Sequence, residues 1–89
     1  VLKMGKVFKK SVLSCLKVPK ICSLLRNRKI TDLYLCGIDT DCCVLATAYD
    51  GFDQGYKVEV LKSLCLSTGG KNLHGAALSM IKRNVGFVS

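Results

Sequence analysis

The 89-residue chain is long enough for one domain with a modest core. Its 14 Lys and Arg against 6 Asp and Glu give a net charge of +8. No aromatic interleaving, zinc-finger spacing or RNA-binding signature accompanies the basic residues, so the charge reads as a solvated face and no specific nucleic-acid partner is expected. No apolar run is long enough to span a bilayer, and residues 1–16 hold too many lysines for the apolar centre of a signal peptide, so no membrane partner is expected either.

Charge and thiols are both unevenly placed. Residues 1–30 carry nine Lys or Arg and no acid, while residues 31–55 carry five Asp and no base. The six cysteines (15, 22, 36, 42, 43 and 65) sit among regular, periodic elements, whereas small disulfide scaffolds are rich in loops. Free thiols in a reducing, cytoplasmic compartment are the expectation.

In chain order, Val1 and Leu2 read as the end of an apolar strand that stops at Lys3, and residues 4–18 show no assignable pattern. Pro19 suits a first helical turn, Ile21, Leu24 and Leu25 give the i, i+3, i+4 stripe, and Arg26, Arg28 and Lys29 favour the C-terminal end, which predicts a helix over 19–28. Leu33 to Ile38, "LYLCGI", is a continuous apolar run of the kind a buried parallel strand shows. Thr40 or Asp41 is positioned to cap the next helix, whose face Val44, Leu45, Ala48 and Phe52 repeats at helical spacing until Gly55 stops it.

A second strand is expected over Lys57–Leu61, followed by a longer connection from Lys62 to Lys71 with turn chemistry in Ser67, Thr68, Gly69 and Gly70. Leu73, Ala76, Ala77, Met80 and Ile81 mark the last helix, and Gly86–Val88 a final strand. This alternation defines an α/β fold with a three-layer, Rossmann-like parallel sheet and flanking helices, incomplete in this chain. Because parallel strands end along one edge, the turn Asp39-Thr40-Asp41-Cys42-Cys43 and the loop after the second strand are expected side by side there, with Lys3 near them.

Cys42 and Cys43 fall in the first turn of a helix, where free N–H groups and the positive dipole end stabilise a thiolate and can receive an oxyanion. Both are candidate nucleophiles by position, and both equally suit two buried thiols packed under the sheet. His74 lies between apolar helix positions with no partner ligands at metal spacing, and reads as a helix-surface or interface residue.

The stretch "LYLCGIDTDCCVLATAYDGFDQGYKVEVL" resembles the isochorismatase-like cysteine hydrolases, a group that includes nicotinamidases and related amidohydrolases. Their pattern, an apolar strand followed by G-x-x-T-x-x-C-V-x-x-T-A, is filled by Gly37, Thr40, Cys43, Val44, Thr47 and Ala48. Through "LCLSTGG", "LHGAALSMI" and "RNVGFV" the likeness covers roughly residues 21–89.

The resemblance implies that Cys43 is the nucleophile, that Asp39, Thr40, Asp41 and Cys42 form the turn that holds the oxyanion, and that a cis peptide falls at Ile38-Asp39. It also implies a catalytic Lys at the end of an earlier strand, for which Lys3 is the match and Lys6 a poorer one. The family's catalytic Asp has no counterpart, since nothing acidic precedes Asp32, and the segment after Lys3 does not show the Ser-x-Phe pattern common in relatives. The region that carries a metal in some relatives is absent, and no metal or other cofactor is expected.

The expected whole is a homo-oligomeric hydrolase of a small amide-type substrate, with residues 1–89 as the C-terminal part of its single domain. The alternatives are an inactive fragment or paralogue that acts as an interaction module through an exposed sheet edge, or a thiol redox or metal-binding protein. The absence of C-x-x-C speaks against the last.

Overall fold

The computed structural model describes residues 5–89. Val1, Leu2 and Lys3, and with them the expected first strand end, lie outside the described residues. Three helices and three strands follow in the order α1 (Pro19–Asn27), β1 (Asp32–Ile38), α2 (Leu45–Asp53), β2 (Lys57–Leu66), α3 (Lys71–Asn84) and β3 (Phe87–Val88). The strands form one parallel sheet in the order β1-β2-β3. This is the expected α/β architecture, reached by two consecutive strand-helix-strand crossovers.

The core forms where the sheet meets its two crossover helices. Val58 and Val60 of β2 are covered by Val44 and Ala48 and by Ile81, all at most 5% exposed. Each fully buried Val or Ile side chain contributes about 1.5–3 kcal/mol through removal of apolar surface from water. Leu35, Leu45, Tyr49, Leu78 and Val88 pack around that cluster and are themselves partly buried.

Residues 5–18 form no long element, yet they are tied to α2. A short 3-10 turn at Cys15–Lys17 buries Leu16, whose side chain reaches Gly51 of α2. Ser14 Oγ donates to Asp50 Oδ2 at 2.7 Å, and the Cys15 N–H donates to Thr47 Oγ1 at 3.0 Å. These bonds place an otherwise irregular segment across one helix face.

Several expected boundaries move. The second strand runs to Leu66 rather than Leu61: a bulge lets Leu35 pair with Val60 and, two residues later, Gly37 pair with Cys65 and Ile38 with Leu66. Lys62 N–H also donates to the Ser89 carbonyl, so residues expected in a loop complete the ladder instead. Neither Thr40 nor Asp41 caps a helix with its side chain; the residue before the helical turn is Asp39, and the turn Thr40–Val44 is wound as a π-helix, with the Val44 N–H donating to the Asp39 carbonyl. Gly55, at φ 91°, stands just past α2 where a stop was expected.

Two helix faces also differ from their expected stripes. Phe52 of α2 is 51% exposed, and in α3 Leu73 and Met80 are exposed while Ala77 and Ile81 are buried. The inward face of α3 is therefore His74, Ala77, Leu78 and Ile81: of the expected stripe Leu73, Ala76, Ala77, Met80 and Ile81, Ala77 and Ile81 are buried and the other three are exposed. His74 belongs to the buried side of its helix.

Candidate functional site

Parallel pairing brings the ends of β1 and β2 together, with Ile38 opposite Leu66. Beyond Ile38 the chain passes through a cis Ile38-Asp39 peptide into the turn that carries Cys42 and Cys43. Gly37 holds φ 129°, a conformation open to glycine and strained for other residues. The expected adjacency of this turn and the loop after β2 holds, with the strand end moved to Leu66.

The loop grips the turn through successive side chains. The Asp39 carboxylate accepts from the Thr68 N–H at 2.8 Å and from Thr68 Oγ1 at 3.1 Å. Asp41 accepts from Ser67 Oγ at 2.5 Å, and Ser67 Oγ in turn accepts from the Gly69 N–H at 3.1 Å. Thr40, fully buried, shares a 2.7 Å hydrogen bond between its Oγ1 and His74 Nδ1.

Cys43 opens into a cleft of about 190 Å³ lined by Lys10, Cys15, Leu35, Cys36, Gly37, Ile38, Val44 and Thr47. Lys10 Nζ lies 3.5 Å from Cys43 Sγ. The ammonium is held in place by the carbonyls of Val12 at 2.8 Å and Leu13 at 3.1 Å, so the loop curls back to aim it.

Cys42 faces elsewhere, lining a separate apolar depression with Leu13, Asp41, Leu45, Ala46, Tyr49 and Met80. Partial burial raises its thiol above the ordinary value, and the neighbouring Cys43 and the carboxylates of Asp39 and Asp41 push the same way. Burial likewise raises Cys65, partly offset by a hydrogen bond from the Gly37 backbone.

Lys3, the sequence-based choice for the catalytic cation, lies outside the described residues; the lysine beside Cys43 is Lys10, from the segment that showed no pattern. One signal pointed to it. The Ser-x-apolar sequence Ser14-Cys15-Leu16 begins four residues after Lys10, with Leu in place of the Phe of the family pattern. His74 was also passed over, because an imidazole among apolar helix residues looks the same whether it faces solvent or a buried hydroxyl. All six cysteines are free thiols. Among the described residues no three His, Cys, Asp or Glu side chains gather at metal-binding spacing, and no helix is long and apolar enough to cross a membrane.

A parallel sheet with crossover helices packed on it is the fold this chain shares with solved isochorismatase-like hydrolases. Residues 2–89 match the Isochorismatase domain, and the chain belongs to that family.

Among curated relatives it is 42% identical over 67 residues to the ureidoacrylate amidohydrolase RutB of Methylobacterium radiotolerans, which covers 75% of this chain and 26% of that protein. It is 39% identical over 62 residues to the isochorismatase family protein PncA of Bacillus subtilis, covering 70% and 33%. The crystal structure of nicotinamidase PncA from Bacillus subtilis superposes with a TM-score of 0.83 at 32% identity, covering 90% of this chain and 43% of that one. The chain thus spans a third or less of these two curated relatives and under half of that solved structure.

Proposed function

We propose that these residues form the C-terminal part of a cysteine hydrolase domain that cleaves the C–N bond of a small amide-type substrate through a thioester. The observation that carries this reading is the 3.5 Å approach of Lys10 Nζ to Cys43 Sγ in the cleft at the strand ends. Similarity to a nicotinamidase and to ureidoacrylate amidohydrolases supports the bond class.

In this reading Lys10 takes the part that sequence reasoning gave to Lys3, and stabilises the Cys43 thiolate. The thiolate attacks the substrate carbonyl, and amides of the Asp39–Cys43 turn receive the oxyanion. Cys42 and Val44 N–H groups already donate to the Asp39 carbonyl, which leaves that task to the other amides of the turn. Collapse, with the proton taken from the thiol passed to the departing nitrogen, expels the amine and leaves an acyl-Cys43 thioester; water then adds to the thioester, releases the acid and restores the thiol. The proton-accepting Asp of the resemblance is supplied from outside residues 1–89.

The test is the rate of alkylation of each cysteine at neutral pH, resolved by peptide mass spectrometry. Cys43 is expected to react at least about tenfold faster than Cys36, the exposed thiol of β1. Equal rates for all six would sink the reading.

A second reading rests on β1, which lies at the edge of the sheet and exposes Tyr34 and Ile38 by more than 60%. A half-domain that pairs through this edge without catalysis would bind a complementing chain yet show no selective reactivity at Cys43.

A further inference from the structure

The turn between β1 and Cys43 is held from outside at three consecutive residues. Asp39 is bonded to Thr68, Asp41 to Ser67 and Thr40 to His74, so every one of these contacts comes from the segment that leads from β2 into α3. The three differ in what could replace them. The Asp39 contacts are solvent-exposed, while the Asp41 and Thr40 contacts are partly buried. Thr40 is itself 0% exposed, and its hydroxyl makes a partly buried hydrogen bond to the ring of His74.

His74 is itself fixed. It lies on the inward face of α3 with Ala77, Leu78 and Ile81, and Ile81 is a fully buried member of the core cluster. A rigid path therefore runs from the core through α3 to a hydroxyl three residues ahead of Cys43. A turn of π-helix is a departure from regular helical winding, and its exact shape depends on what grips it. The direction in which Cys43 meets Lys10 depends on that shape.

We propose that His74 is a positioning residue for Cys43: by holding the buried Thr40 hydroxyl it fixes the nucleophile turn and keeps the thiol aligned with Lys10. This rests on the hydrolase reading above. It assigns no contact between His74 and substrate.

The test compares alkylation of Cys43 with that of Cys36 in the same molecule at neutral pH, with melting temperature measured alongside. His74→Leu removes the ring nitrogen and is expected to slow Cys43 about tenfold while Cys36 stays within about twofold. His74→Asn, which presents a polar atom near the position of Nδ1, is expected to recover most of the lost rate. Thr40→Val is expected to match His74→Leu, and the double variant to fall no further than either single one, as two halves of one bond require.

If His74→Leu does not melt cooperatively, His74→Asn and Thr40→Val carry the comparison. A fast Cys43 in the wild type with an equally fast one in Thr40→Val, or additive losses in the double variant, overturns the positioning role alone. A wild-type Cys43 no faster than Cys36 overturns the hydrolase reading and the positioning role with it.

Discussion

Ser14 Oγ donates to Asp50 Oδ2 at 2.7 Å, tying the irregular segment that carries Lys10 to the helix that follows Cys43. Asp50 is the hub of this attachment, since Lys17 Nζ also approaches it at 3.5 Å and Gln54 donates at 3.0 Å. Burial raises its carboxyl, but the bonds from Ser14 and Gln54 and the charge of Lys17 outweigh that, and the net shift is downward.

A carboxyl whose folded value is depressed stabilises the fold above its unfolded value, near about 4, and loses that contribution as pH falls through the lower folded value. Asp50→Asn is therefore expected to destabilise the fold by about 1–2 kcal/mol at neutral pH, most of it from the Ser14 bond, because Lys17 is largely exposed. The same variant removes Asp50's share of the acid dependence below about pH 4. Thermal melts at pH 7 and pH 3 check both: a wild type and a variant that differ equally at the two values would contradict the account.

Lys10 makes a second prediction specific, because Lys6 and Lys9 lie on the same exposed segment and neither contacts Cys43 within the described residues. Lys10→Met keeps the length of the side chain and removes the charge. It is expected to slow alkylation of Cys43 about tenfold at neutral pH, while Lys6→Met changes it by less than about twofold. The Lys10 effect should shrink at high ionic strength, since the ammonium is partly exposed to solvent. Equal effects from the two lysines would mean that the general positive field of residues 1–30, rather than one ammonium, activates the thiol.

The contrast between Cys43 and Lys10 marks what a sequence can disclose. Cys43 sits in a local pattern: an apolar strand, Gly37, Thr40 and a helix, all encoded within a dozen residues. Lys10 reaches the same cleft only because Ser14 and Cys15 bond to Asp50 and Thr47, more than thirty residues away. Side-chain bonds of that span leave no periodicity. The end of β2 was hidden for a related reason, since the bulge opposite Leu35–Gly37 is a property of the pair of strands and not of either alone. The face of α3 was legible in part: Ala77 and Ile81 of the expected stripe are buried, while Leu73 and Met80 fit the same apolar pattern and stay exposed.

The sheet's far edge supplies a prediction about packing. Gly86 precedes β3, and a Cβ built there would fall on the carbonyl oxygen of Val58. That oxygen belongs to the backbone of a central strand, so it has little freedom to move aside. Gly86→Ala is expected to cost at least about 2 kcal/mol by separating β3 from β2. Differential hydrogen exchange should show the loss at Ser89 N–H, which donates to the Val60 carbonyl, and at Lys62 N–H, which donates to Ser89. An unchanged melting temperature with intact protection at those two amides would mean that the close approach is not required.

Thr47 separates stability from alignment. Its hydroxyl accepts the Cys15 N–H at 3.0 Å, it is 4% exposed, and it lines the cleft with Cys43 and Lys10. Thr47→Val keeps the shape and leaves the Cys15 N–H without its partner, at about 1–3 kcal/mol. Thr47→Ser keeps the acceptor and loses a buried methyl, at about 1 kcal/mol. Both variants should melt earlier, but only Thr47→Val frees the segment that aims Lys10, so only it should slow alkylation of Cys43 relative to Cys36. If the serine variant slows Cys43 as much as the valine variant does, packing of the helix rather than the bond to Cys15 sets the position of Lys10, and the N-terminal segment follows the core instead of guiding the site.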